Sequence, residues 1–157
     1  MSAPPAPERL TVLRELLSLA RWAPSGDNTQ PWRFRILDEG QVRVIVRDTR
    51  AHCVYDLDGV PTRMAAGMLV ETLAIAARAR GLAVDCTSVD DTETRSDPAR
   101  HDLLLRLITA PAAGPDAATT LPDPPVWTIR RRSVQRRAMS TRALRTDEKR
   151  SLADGLA

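Results

Sequence analysis

The sequence predicts an α+β fold in which an antiparallel sheet is covered by helices. Residues 32–46 alternate apolar and charged positions around a polar turn, as a hairpin with one buried face does. Two further segments, 8–22 and 63–80, instead space their apolar residues at helical period. A chain of 157 residues and 17.3 kDa can bury one core and falls short of two ordinary domains.

The first helix is read over 8–22, with Leu10, Leu13, Leu17 and Ala20 on one face and Leu16 beside them. Pro24 ends it. Ser25, Gly26, Asp27 and Asn28 are turn formers, so 23–31 is a loop able to take unusual backbone angles and to present N–H groups. Trp32, Phe34 and Ile36 then alternate with Arg33 and Arg35, and after Asp38-Glu39-Gly40-Gln41 the residues Val42, Val44 and Val46 alternate with Arg43 and Arg47. The segment 48–62 is polar and irregular. From Arg63 to Arg80 the set Met64, Met68, Leu69, Leu73, Ala76 and Ala79 predicts a nearly all-buried helix, closed by Gly81. Gly67 inside it costs roughly 1 kcal/mol relative to alanine unless close packing or a ligand uses the missing side chain. Leu82, Val84 and Cys86 alternate as a strand, 90–102 reads as an acidic loop, and Leu103–Ile108 suits a short strand or a helix.

Residues 110–125 are rich in Pro, Ala and Gly without periodicity and read as a linker or surface arm. A short helix is expected from Val126 to Arg132, and another opening at Thr146 with Asp147 and Glu148 in its first turn. The apolar stripe of that last helix, Leu152 and Leu156, has only begun when the sequence ends, which reads as truncation or as the first half of a longer protein.

Charge is divided unevenly. Residues 1–129 carry 14 Arg against 17 acids, and residues 130–157 carry 9 Arg or Lys against 3 acids, so the basic character resides in the tail. This argues for a local anion site or a self-repelling tail and against a generally nucleic-acid-coating surface. Of the bases, only Lys149 is not Arg; guanidinium forks suit phosphate, although a GC-rich genome produces the same bias. Cys53 and Cys86 form no CxxC, His52 and His101 have no nucleophile at informative spacing, and Asp56 and Asp58 are followed by no ligating series, so no metal site is expected. No G-x-G-x-x-G or P-loop is present. The N-terminus lacks the charged and apolar regions of a secretion signal, and no apolar run approaches a membrane span, so a reducing cytoplasm is the expected location.

The stretch ARWAPSGDNTQPWRF resembles the second-helix motif of the nitroreductase family, in which a helix ends in APSxxNxQPWxF and the following loop cradles a flavin. A Gly-loosened loop can offer Pro24, Ser25, Gly26 and Asn28 to a flavin, and the resemblance implies Ser25 and Asn28 as its contacts, with Gln30 and Trp32 anchoring the loop to the core. RRRSVQRRAMSTRAL at 130–144 is similar to the RRSVR segment that grips the flavin phosphate, implying Arg131, Ser133 and Gln135, with Arg132 and Arg136 as nearby alternates. It departs from the family at Gln135, where Lys or Arg is usual, and in lacking an aromatic near Ala138 or Met139.

The order of the two elements is also reversed relative to single-domain members. That order resembles a subgroup with two nitroreductase-like repeats, which implies a first repeat at 1–109, a linker at 110–125 and the start of a second repeat at 126–157. The 48–82 segment, with its aspartate-plus-glycine loop and small-residue helix, and RHDLLLRLI resemble the same subgroup. The implied fold is nitroreductase-like and incomplete, completed by a second repeat or a homodimeric partner. The implied activity is FMN-dependent oxidation of NAD(P)H with nitroaromatic or quinone-like acceptors, the protein binding and tuning the flavin and no side chain named as catalytic. The alternative is a noncatalytic module that stores flavin or lacks it, or whose basic tail binds a partner or nucleic acid.

Overall fold

The computed structural model describes residues 6–54, 56–110, 126–133 and 141–154. The chain divides into two compact units, Met1–Pro111 and Ala112–Ala157. In the first unit, helix α1 (Ala6–Ala20) leads into a 3-10 turn (Gly26–Asn28), strands β1 (Trp32–Ile36) and β2 (Gln41–Arg47), helix α2 (Val60–Arg78), strand β3 (Leu82–Val89), a single helical turn α3 (Thr92–Arg95) and strand β4 (Arg100–Thr109). All strand pairs are antiparallel, in the order β1-β2-β4-β3. The α+β antiparallel reading therefore holds. Of the two possibilities for 103–108, strand is the one adopted.

The period-two pattern fixes which side of the sheet is covered. Val42, Val44, Val46 and Leu105 are fully buried on the face over which α2 runs, and α1, whose Leu13, Leu16, Leu17 and Ala20 are buried, packs on α2 in turn. β1 lies at the sheet edge, so only Trp32 of its alternating set is buried, while Phe34 is partly covered and Ile36 is exposed.

α2 starts three residues earlier than expected, at Val60, with Pro61 in its first turn. Its buried stripe is Thr62, Ala65, Ala66, Leu69, Leu73, Ala76 and Ala77, and Met64 and Ala79 face outward. The nearly all-buried expectation is thus corrected: small residues occupy so much of this helix that hydrophobicity alone does not orient it. By length and composition α2 could cross a bilayer, yet its buried stripe packs on α1 and the sheet as a core helix. At its end Gly81 takes φ +67, the left-handed angle that releases the chain into β3.

The expected acidic loop at 90–102 is shorter than predicted and partly ordered. Asp91 caps α3 by accepting from the Thr94 amide at 3.0 Å, while the Thr94 hydroxyl accepts from the Asp91 amide at 3.0 Å. Arg100 and His101 already belong to β4.

In the second unit α4 (Thr128–Arg131) and α5 (Thr146–Asp154) occupy the two segments expected to be helical. The linker, apart from Ala110, lies outside the described residues.

Candidate flavin loop and its neighbouring cavity

Ala20 and Ala23 are buried, so the end of α1 is pinned to the core and the chain must turn sharply at Pro24. The turn closes on Ser25. Its carbonyl accepts from the Asn28 amide at 3.0 Å, and its hydroxyl oxygen accepts from the Gln30 amide at 3.0 Å. Gly26 adds a third tie by accepting from the Thr29 amide at 2.9 Å. The side-chain amide of Gln30 donates to Asn28 Oδ1 at 3.3 Å. Beyond the loop, Trp32 is 3% exposed and anchors the exit strand. Trp32 thus anchors the loop to the core as expected, whereas Gln30, expected to do the same, bonds Ser25 and Asn28 within the loop instead.

The unusual angles do not fall on glycine. Asp27 (φ 46), Asn28 (φ 57) and Gln30 (φ 47) take left-handed conformations. Asn and Asp tolerate this region; Gln does so at a cost of order 1 kcal/mol. The Ser25 hydroxyl and the Asn28 carbonyl oxygen hold Gln30 in place, so the strain is compensated locally.

Pro24, Ser25, Gly26 and Asn28 are brought together in this one turn, Asn28 exposed and the others partly accessible. The backbone N–H groups of Ser25, Gly26 and Asp27 donate to no protein group among the described residues. Accessible donors with a side-chain amide beside them suit the acceptor atoms of a flavin ring. Ser25 is partly committed to the loop itself, which the motif alone did not reveal.

Arg131, Arg132 and Ser133 lie at the end of α4 and just beyond it, all exposed. The Arg131 guanidinium stacks over Trp127, 5.0 Å from the ring centroid. Gln135 lies outside the described residues, as do Ala138 and Met139.

A cavity of about 330 Å³ adjoins the loop, lined by Thr29, Gln30, Pro31, Arg33, Arg47, Asp48, Thr49 and His52. In the sequence Arg33 and Arg47 are simply the charged positions of alternating strands, and His52 falls in the irregular 48–62 segment. The signal was present in the hairpin register, which pairs Arg33 with Ile45 and so places Arg33 and Arg47 on one face as diagonal neighbours.

Behind the cavity, Thr49 and Thr62 both donate their hydroxyls to Asp56 Oδ2, that from Thr49 at 2.6 Å, and the Thr49 amide donates to Thr62 Oγ1 at 3.2 Å. This buried clasp ties the 48–59 loop to the first turn of α2. Burial opposes ionisation of Asp56, but the hydrogen bonds from Thr49 and Thr62, aided by the Gly59 and Thr49 amides, hold its carboxyl below the usual carboxylate range. Asp56 Oδ1 has no hydrogen-bond partner among the described residues.

The sheet face not covered by α2 carries a separate charge network. Asp102, fully buried, accepts from Arg43 Nε and from Arg100 Nε (2.8 Å) and Nη2 (2.7 Å). Arg43 also grips Asp91 bidentately at 2.6 and 3.1 Å, and Arg100 reaches Glu93 at 2.9 Å. Desolvation pushes against charge on Asp102, and the two guanidinium groups more than offset it, keeping the carboxyl low. These five residues are matched among themselves and read as a structural tie between β2, β4 and α3.

Residues 5–62 match the family model described as the Nitroreductase family. Among solved structures the chain is similar to a nitroreductase family protein from Streptococcus pneumoniae TIGR4, with 12% identity and a TM-score of 0.46 over 71% of this chain and 84% of that one. It is also similar to a nitroreductase-like protein from Streptococcus mutans, with 15% identity and a TM-score of 0.45 over 66% of this chain and 80% of that one. No curated protein sequence matches significantly.

Proposed function

Because residues 5–62 are nitroreductase-like, we propose that this chain is a flavin-dependent oxidoreductase that uses FMN and NAD(P)H to reduce nitroaromatic or quinone-like acceptors. The observation that supports the reading most directly is the Ser25–Gln30 turn. There an amino-acid pattern of the family coincides with accessible amides that donate to no protein group among the described residues, and with backbone angles that the loop holds at some cost. FMN, when bound, supplies the electron-accepting ring. The chain's own residues would bind and orient it, the amides of 25–27 and the Asn28 side chain meeting the ring's polar atoms. Separately, Arg131, Arg132, Ser133 and Gln135 are proposed as contacts of a flavin phosphate. The flavin site is proposed to be completed by a second repeat or by a homodimeric partner.

Absorbance spectroscopy of the purified protein, with and without added FMN, tests the reading. Flavin absorbance that bleaches on addition of NAD(P)H supports an oxidoreductase, and colour that does not bleach supports a flavin-storing module. Protein that neither carries nor takes up FMN removes the flavin reading. Asn28→Ala is expected to weaken FMN binding roughly tenfold, the worth of one or two hydrogen bonds.

A further inference from the structure

We propose that the cavity between residues 29–33 and 47–52 is an anion site that binds phosphate oxygens. Its lining holds cationic donors the fold leaves unspent. Arg33 uses only Nη1 on the chain, donating to the Trp32 carbonyl at 2.8 Å and toward the Gln30 carbonyl at 3.4 Å. Arg47 uses only Nη1, on Asp97 at 3.0 Å, in a pair whose Arg side chain is 64% exposed and which solvent therefore weakens. The Nε and Nη2 groups of both arginines, the His52 imidazole and the Thr29 hydroxyl have no protein partner among the described residues.

Asp48 is the acid in the lining, and it is already engaged. Its Oδ1 accepts from the Arg50 amide at 2.7 Å and its Oδ2 pairs with Arg50 Nε. Apart from the exposed Arg47–Asp97 pair, no carboxylate among the described residues engages the two guanidinium forks that line the space. Forks of this geometry match the tetrahedral oxygens of a phosphate, and hydroxyl and imidazole donors complete such a set. A volume of about 330 Å³ exceeds what a simple ion needs and leaves room for the group that carries the phosphate.

The cavity and its donors do not depend on the flavin reading. Two sources share this chemistry: the phosphate of a flavin held by the adjoining loop, and a second phosphorylated small molecule.

Calorimetric titration of the full chain with inorganic phosphate and pyrophosphate, at fixed ionic strength in chloride, tests the site. Saturable binding is expected, weakened roughly tenfold or more in Arg33→Gln/Arg47→Gln, as loss of two charge-assisted contacts requires. Arg33→Lys/Arg47→Lys is expected to fall between. FMN and riboflavin separate the sources: FMN binding tighter than riboflavin, with the preference lost in the double Gln variant, assigns the site to the flavin's own phosphate. Equal affinity for both, alongside intact pyrophosphate binding, assigns it to a second ligand. Absence of saturable phosphate and pyrophosphate binding, or unchanged affinity in the folded double variant, overturns the proposal. Should the double variant fail to fold, Arg47→Gln alone gives the same reading.

Discussion

Gly67 offers a direct test of how α2 sits. It is the eighth residue of a nineteen-residue helix and is exposed, and a Cβ placed on it meets nothing within 4 Å. Among the described residues neither close helix packing nor a neighbouring side chain explains the glycine. It borders a cleft of about 480 Å³ between α2 and the β3–β4 edge, lined in part by Val46, Ala66, Val70, Cys86 and Leu103. With no steric term, Gly67→Ala should return the full helix-propensity difference of about 0.8–1.0 kcal/mol. At a urea m-value of about 2 kcal/mol/M this raises the denaturation midpoint by about 0.4–0.5 M with m unchanged. The assay is urea unfolding followed by far-UV circular dichroism. A lowered midpoint would refute the reasoning, because it requires something pressed against Gly67 that the isolated fold does not contain. Gly59→Ala is the contrasting case: φ is +76 and the added Cβ lies 3.1 Å from Arg63 Nη1 and 3.2 Å from Asp48 Oδ2, so destabilisation of about 1–2 kcal/mol is expected.

Asp102→Ala is expected to cost roughly 3 kcal/mol, the low end for breaking a buried pair, because Arg43 and Arg100 keep Asp91 and Glu93; urea midpoints measure it. Asp56 and Asp102 both have folded pKa values depressed below those of the unfolded chain, so their contribution is fully present above about pH 4 and disappears as pH falls through the folded values. Stability measured from pH 6 downward should therefore drop below about pH 4, and a flat profile there would contradict the two clusters. Ser25→Ala removes the acceptor that holds Gln30 and is expected to cost about 1 kcal/mol in stability, with looser FMN retention read by fluorescence of released flavin.

Much of this fold is legible in residue order because period and punctuation are local signals. Alternation around Asp38–Gln41 marks the hairpin, and Pro24 and Gly81 mark ends that the backbone needs. Burial is less legible where neighbours decide it. Ile36 has the right period but sits on an edge strand, and Met64 lies one helical step from Ala65, which packs inward instead. At the loop, the motif identifies Ser25 and Asn28 without showing that Ser25 is already bonded to Gln30. The hairpin makes Arg33 and Arg47 neighbours, but the cavity becomes legible only once the loop after β2 brings Thr49 and His52 to them.

The strand order also sets a timetable for synthesis. Of the four strands of this sheet β4 is the last to leave the ribosome, yet it stands between β2 and β3, so the sheet waits until residue 109 has emerged. Until then β2 has a partner on one side only, and Val42, Val44 and Val46 await the strand and helix that bury them. Pairing over such separations is slow and leaves apolar edges transiently open. A polypeptide released at residue 62 would carry the entire loop pattern without the central strand that braces β2, and so without the platform from which Trp32 holds the loop.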